Sequence, residues 1–169
     1  MLRDFENGWK SYYDTLGVKH REARDYGVPD WDGKSSGKIV VYGEQGVGDE
    51  IMFSSCIPEL IKDRDIIIDC DKRLESLFKR SFDCPVYGTR FKKETPLLDE
   101  HKPEWQCAIG QLPYLLKRFD EDSYPGTPYL IPNDDHVVMY RALFDRFKGK
   151  KIGLAWNGGL NNTGKKCGS

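Results

Sequence analysis

No two cysteines in this chain stand at metal-binding or redox spacing. The five, Cys56, Cys70, Cys84, Cys107 and Cys167, are odd in number and form no C-x-x-C pair. They give no disulfide framework and no zinc site. Several lie in apolar runs, as buried thiols do. His20, His101 and His136 are scattered without ligand spacing, so nothing in the pattern supports a metal site or Cys–His nucleophilic chemistry. No basic stripe is present, and the net charge is −1. That balance speaks against nucleic acid and against a membrane surface as partners. The apolar runs are too short to cross a bilayer, and the N-terminus lacks the apolar core of a signal peptide. These absences lead us to expect a soluble cytoplasmic protein with no resident metal. The 169 residues suit one domain, or one domain and a piece of another.

What is present centres on residues 38–53. A β-branched run, Ile39-Val-Val-Tyr42, stops at Gly43. A loop with Gly43, Gly46 and Gly48 follows, then Asp49-Glu50 and an amphipathic run to Ile61. This is a strand, a tight turn and a helix, the opening of a βαβ unit. Ligands of open α/β sheets sit beyond the carboxyl ends of the strands, where such a turn lies. The glycines read G-x-x-G-x-G rather than the dinucleotide G-x-G-x-x-G. Asp49-Glu50 also stand where a phosphate loop needs Lys-Ser/Thr. Three carboxylates, Glu44, Asp49 and Glu50, would repel a pyrophosphate. A carboxylate there suits holding a hydroxyl or taking its proton. A plainer role is the stronger reading from spacing alone: Asp and Glu in a first helical turn cap N–H groups and complement the dipole.

The remaining elements follow from periodicity. Leu2, Phe5, Trp9, Tyr12 or Tyr13 and Leu16 recur at helical spacing and end near Gly17. Residues 19–37 read as a crossing loop anchored by Trp31. A helix over residues 49–62 buries Phe53, Ile57, Leu60 and Ile61, with Pro58 as a kink. Residues 65–70 form a buried parallel strand. Residues 71–82 form a helix with Leu74, Leu77 and Phe78 on one face, and Pro85-Val-Tyr87 a weak strand. Residues 88–104, with Arg90, Lys92, Lys93 and Glu94, read as a polar loop, solvated or bordering a cleft. Residues 105–109 form a fourth strand, and Gly110-Gln-Leu-Pro113 should lie beside residues 46–49 if strands one and four are neighbours. Gln111 is therefore a candidate cleft residue. A helix over residues 112–119, a proline-studded connector to Pro132, a helix over residues 134–148 and a strand over residues 151–156 complete the reading.

Gly43-Glu-Gln-Gly-Val-Gly-Asp-Glu-Ile-Met-Phe53 resembles the G-E-Q-G-x-G-D-x-I-x-F signature of bacterial tetratricopeptide-repeat proteins. Their glycosyltransferase-like domain is related to the heptosyltransferases of glycosyltransferase family 9. Trp31-Asp-Gly33, Gly110-Gln-Leu-Pro113 and Ile152-Gly-Leu-Ala-Trp-Asn-Gly158 resemble the family's W-x-G, S-L-P and V-G-L-x-W-x-G segments, in the same order. Asp4 to Tyr13 looks like the last helix of a repeat array. One helix cannot build such an array, so we expect it to dock on the domain.

The resemblance implies an α/β fold, a Rossmann-like open parallel sheet forming the N-terminal domain of a GT-B fold, preceded by a helix. It divides the chain into an N-terminal helix and linker (residues 1–30), an acceptor-side domain (31–132), and a connecting helix with the first strand of a second, truncated domain (133–169). It implies inverting, metal-independent transfer from a nucleotide sugar, a substrate rather than a cofactor, to a hydroxyl acceptor on a sugar or protein. Asp49 would be the general base. Glu44 and Gln45 would orient the acceptor, and Gly46 and Gly48 would let the backbone approach it. Asn157, Gly158, Gly159 and Thr163 would begin the donor-side loop, which a second domain or chain would have to complete. Two other classes stay open: a non-catalytic α/β binding module, and an unrelated flavodoxin-like enzyme using the same crevice.

Overall fold

The computed structural model describes residues 3–18, 21–90, 92, 96–124 and 126–154. The chain divides into two units, residues 1–133 and 134–169. The first is built on four parallel strands: β1 (Ile39–Tyr42), β2 (Ile66–Asp69), β3 (Val86–Tyr87) and β4 (Trp105–Ala108). Their order is β3-β2-β1-β4. Strands β1 and β4 are parallel neighbours, with Tyr42 opposite Ala108, so the strand order reverses at β1, with β2 and β3 on one side and β4 on the other. This is a Rossmann-like α/β arrangement, and its switch point lies at the carboxyl ends of β1 and β4.

The sheet is buried on both faces, which is why its strands are nearly continuous apolar runs. Alternate residues point opposite ways. Ile39, Val41, Ile66, Ile68 and Cys107 join Phe53, Ile57, Leu60 and Phe78 in the larger core, while Val40, Tyr42, Ile67 and Ala108 join Tyr26 and Leu97 in the smaller. The helices of the larger core are α2 (Val47–Phe53), α3 (Ile57–Asp63) and α4 (Glu75–Ser81). The expected kink at Pro58 is a break: a 3-10 turn, Ser54–Cys56, separates α2 from α3, and Pro58 falls in the first turn of α3. Proline is tolerated there because the N–H it lacks would have no helical partner. Helix α4 starts later than expected, since Asp71 Oδ1 accepts the Arg73 N–H and holds residues 71–74 in a turn.

Residues 88–104 are not all loop. Helix α5 (Pro96–His101) closes the second face with Leu97, fully buried. Helix α6 is shorter than expected, Leu112–Leu115, because Lys117 adopts a left-handed φ of 54°. Helix α1 (Phe5–Tyr13) packs on α6 and on the 3-10 turn Ile109–Gln111. Its expected face (Phe5, Trp9, Tyr12, Tyr13) is half-buried, and none of its residues is fully buried.

The linker is stapled rather than loose. Trp31 is buried, with Nε1 donating to the Ser35 carbonyl at 3.0 Å. The Trp31 N–H donates to the Gln106 carbonyl at 2.8 Å, and the Gln106 N–H to that of Pro29 at 3.0 Å, covering the outer edge of β4. Asp69, fully buried, accepts from Tyr26 Oη (2.6 Å), Arg24 Nη1 (2.9 Å), and the Thr89 N–H (2.9 Å) and Oγ1 (2.8 Å).

In the second unit, helix α7 (Asp134–Phe144) has no buried residue. Residues 151–154 take no strand pairing, so the part of the expected final strand that is described is not a strand.

Candidate functional site

Strand β1 ends at Tyr42, and the next residues turn over the switch point. Gly46 is the N-cap of α2, and its N–H donates to Asp49 Oδ2 at 3.1 Å. Asp49 thus folds back on its own helix start, as a capping carboxylate does. It is half-buried, while Gly46 and Gly48 beside it are exposed. Among the described residues Asp49 Oδ1 takes no protein hydrogen bond.

The other two carboxylates of the turn lie beneath it. Glu44, 4% exposed, pairs with Arg21, Nη2 to Oε1 at 3.1 Å, and Oε2 accepts the Gly110 N–H at 3.4 Å. Burial pushes its carboxyl above the usual range, and the Arg21 bond opposes that only in part. Glu50, 1% exposed, pairs with Arg90 and accepts the Asp71 N–H at 3.0 Å. Burial pushes Glu50 up to about 7 against the pull of that N–H and of Arg90. Asp71 goes the other way, to about 2, under hydrogen bonds from Arg73.

Two glycines make room for these groups. A Cβ on Gly43 would lie 2.7 Å from Glu50 Oε2, and one on Gly110 would lie 3.0 Å from the Tyr12 ring and 3.1 Å from Arg21 Nη2. Both are close backbone approaches that only glycine fits.

Helix α1 supplies the roof. Tyr12 Oη accepts from Gln45 Nε2. The Arg21 guanidinium lies 3.9 Å over the Tyr12 ring and donates to the Tyr12 carbonyl and to Thr15 Oγ1, the latter at 2.9 Å. Burial raises the Tyr12 phenol. Gln111, 5% exposed, turns Oε1 back to its own Ala108 N–H at 3.4 Å.

Of the residues singled out by sequence reasoning, Glu44, Gln45, Gly46, Gly48 and Asp49 lie on the turn after β1, and Gln111 lies on the turn after β4, whose Gly110 N–H reaches Glu44. Gly46, Gly48 and Asp49 face outward; Glu44, Gln45 and Gln111 bond within the chain. Asn157, Gly158, Gly159 and Thr163 lie outside the described residues. Glu50, Arg21 and Tyr12 were missed as site residues. For Glu50 a signal existed, since it falls at helical spacing with Phe53, Ile57 and Leu60 and so shares their buried face. Arg21 carried none.

Two open hollows lie elsewhere. One, about 380 Å³, sits at the amino ends of the strands around Lys38, Asp65 and Glu104. The other, about 930 Å³, runs between α3 and the connector, lined by Glu59, Arg118, Tyr124 and Tyr129 among others. Among the described residues no group of three or more His, Cys, Asp or Glu could hold a metal ion. Nor is any helix long and apolar enough to cross a membrane.

No protein-family profile matches the chain, and no solved structure does. Over 167 aligned residues it is 24% identical to Protein FlbA of Caulobacter vibrioides. The alignment takes in 88% of this chain and 28% of that relative, so the chain spans little more than a quarter of FlbA's length.

Proposed function

We propose that the chain is the acceptor-side half of a glycosyltransferase-like protein of GT-B type, in which Asp49 takes the proton of a hydroxyl acceptor. One observation carries this reading. Of the three carboxylates on the switch-point turn, Asp49 alone is neither buried nor paired with an arginine among the described residues. It stands at the carboxyl end of β1, where α/β sheets bind ligands.

The acceptor O–H would pass its proton to Asp49 as the oxygen attacks the anomeric carbon of a nucleotide sugar. The bond from that carbon to the nucleoside diphosphate breaks, and the configuration inverts. Gly46 and Gly48 leave the approach open. Glu44 and Gln45 shape the crevice from below, and Gln111 fixes the turn after β4. The donor half comes from a second domain or chain.

A positioned general base contributes roughly 10²–10⁴-fold. With the donor half supplied and a panel of nucleotide sugars, Asp49→Asn should lower nucleoside diphosphate release and sugar transfer by about that factor. An unchanged rate refutes the assignment. A second reading, a non-catalytic α/β binding module, draws on the internal bonds of Glu44, Gln45 and Gln111. It is favoured if the assembled wild-type protein transfers no sugar from any donor.

A further inference from the structure

We propose that helix α1 is a detachable cover on the switch-point crevice, plugged by Tyr12 and latched by Arg21. As a cover on an acceptor site, it rests on the glycosyltransferase reading; its detachment does not.

The contacts divide into two sets. Downstream of Arg21, the linker is held to the sheet: the Glu22 N–H donates to the Glu44 carbonyl at 3.0 Å, and Arg24 and Tyr26 are tied to buried Asp69. Upstream, α1 buries no residue completely. Nine-residue helices are marginal without packing, so α1 stays in place through what its half-buried face touches. Tyr12 is central to that face. Its ring lies 5.4 Å from Phe53, and its hydroxyl accepts from Gln45 on the turn after β1.

Arg21 joins the two sets. Its guanidinium donates to the Tyr12 carbonyl at the end of α1, an oxygen that also accepts from the Thr15 N–H at 3.2 Å and from Thr15 Oγ1 at 2.7 Å. The same group holds Thr15 Oγ1 and Glu44. A cation at a helix carboxyl end also complements the dipole. The fit is incomplete, because buried Arg21 Nε has no hydrogen-bond partner among the described residues. Withdrawal of α1 would uncover Gln45, Gly110 and the Arg21–Glu44 pair next to Asp49. The linker would stay on the sheet. Segments with few fully buried contacts open at lower free energy than the core they cover.

Native-state hydrogen exchange on the full chain tests this. The amides of residues 8–13 should exchange at one common rate, about 100-fold or more faster than those of β1. Tyr12→Phe removes only the Gln45 bond, and should speed residues 8–13 by about 5-fold while β1 is unchanged. Three results would each overturn the proposal: one protection factor shared by α1 and β1, a gradient of rates rising from Tyr13 towards Gly8, or no effect of Tyr12→Phe on α1. The two readings fail separately. Unchanged transfer in Asp49→Asn leaves the exchange result standing, and a shared protection factor leaves the base assignment standing.

Discussion

Replacing Gly43 by alanine tests how tightly the switch point is packed. Gly43 has no left-handed φ, so the alanine backbone is unstrained and the cost is steric. The new Cβ would lie 2.5 Å from Glu50 Oε1 and 2.7 Å from Oε2, and nearer still to Cδ. The carboxylate cannot swing into solvent, since Glu50 is 1% exposed. If it holds its place, the strain of overpacking is about 1–3 kcal/mol. If it moves, it loses the Asp71 N–H at 3.0 Å and the Arg90 pair. Hydrogen bonds to a charged group are worth about 1.5–3 kcal/mol. Whichever it does, Gly43→Ala should cost about 1–3 kcal/mol, against an ordinary domain stability of about 5–15 kcal/mol. Urea unfolding followed by far-UV circular dichroism would read it. The control is Glu50→Ala, which removes the atoms that clash. In that background Gly43→Ala should cost less than about 1 kcal/mol, because mutations of touching residues do not add. Equal costs in the two backgrounds would refute the steric account.

Other outcomes follow from the same geometry. Glu50 binds its proton more tightly folded than unfolded. Its contribution is full below the ordinary glutamate range and is lost as pH rises through about 7. Stability should therefore fall between about pH 4.5 and 7, by up to about 3 kcal/mol, since each pH unit carries about 1.4 kcal/mol. Glu44 acts with the same sign, and Asp71, held near 2, contributes no slope in that window. Glu50→Gln should flatten most of the fall in a urea titration at pH 5 and pH 8; an unchanged slope would contradict the assignment. Asp69→Ala strips Arg24 of a buried partner and should cost about 3–5 kcal/mol. Chemical denaturation would show a loss under 1 kcal/mol if the linker staple were dispensable.

The sequence by itself determined the pieces whose signal is local. The run Ile39-Val-Val-Tyr42, the half-buried face of α1 and the burial of Trp31 were legible from spacing and composition. So was the glycine turn at a switch point, because βαβ succession leaves few places for it. Short elements were less legible. Helix α5 shows only Leu97 and Leu98 against the sheet, too brief for a period, and the stop at Lys117 is a backbone conformation, which leaves no mark in composition. What each carboxylate does was decided by the tertiary structure alone. Glu44, Asp49 and Glu50 stand within seven residues of one another. One meets Arg21, 23 residues before it; another meets Arg90, 40 residues after it; the third stays at the surface on its own helix cap. Ion pairing and desolvation depend on distances that exist only after the chain has closed, so three like residues on one turn acquire three different environments.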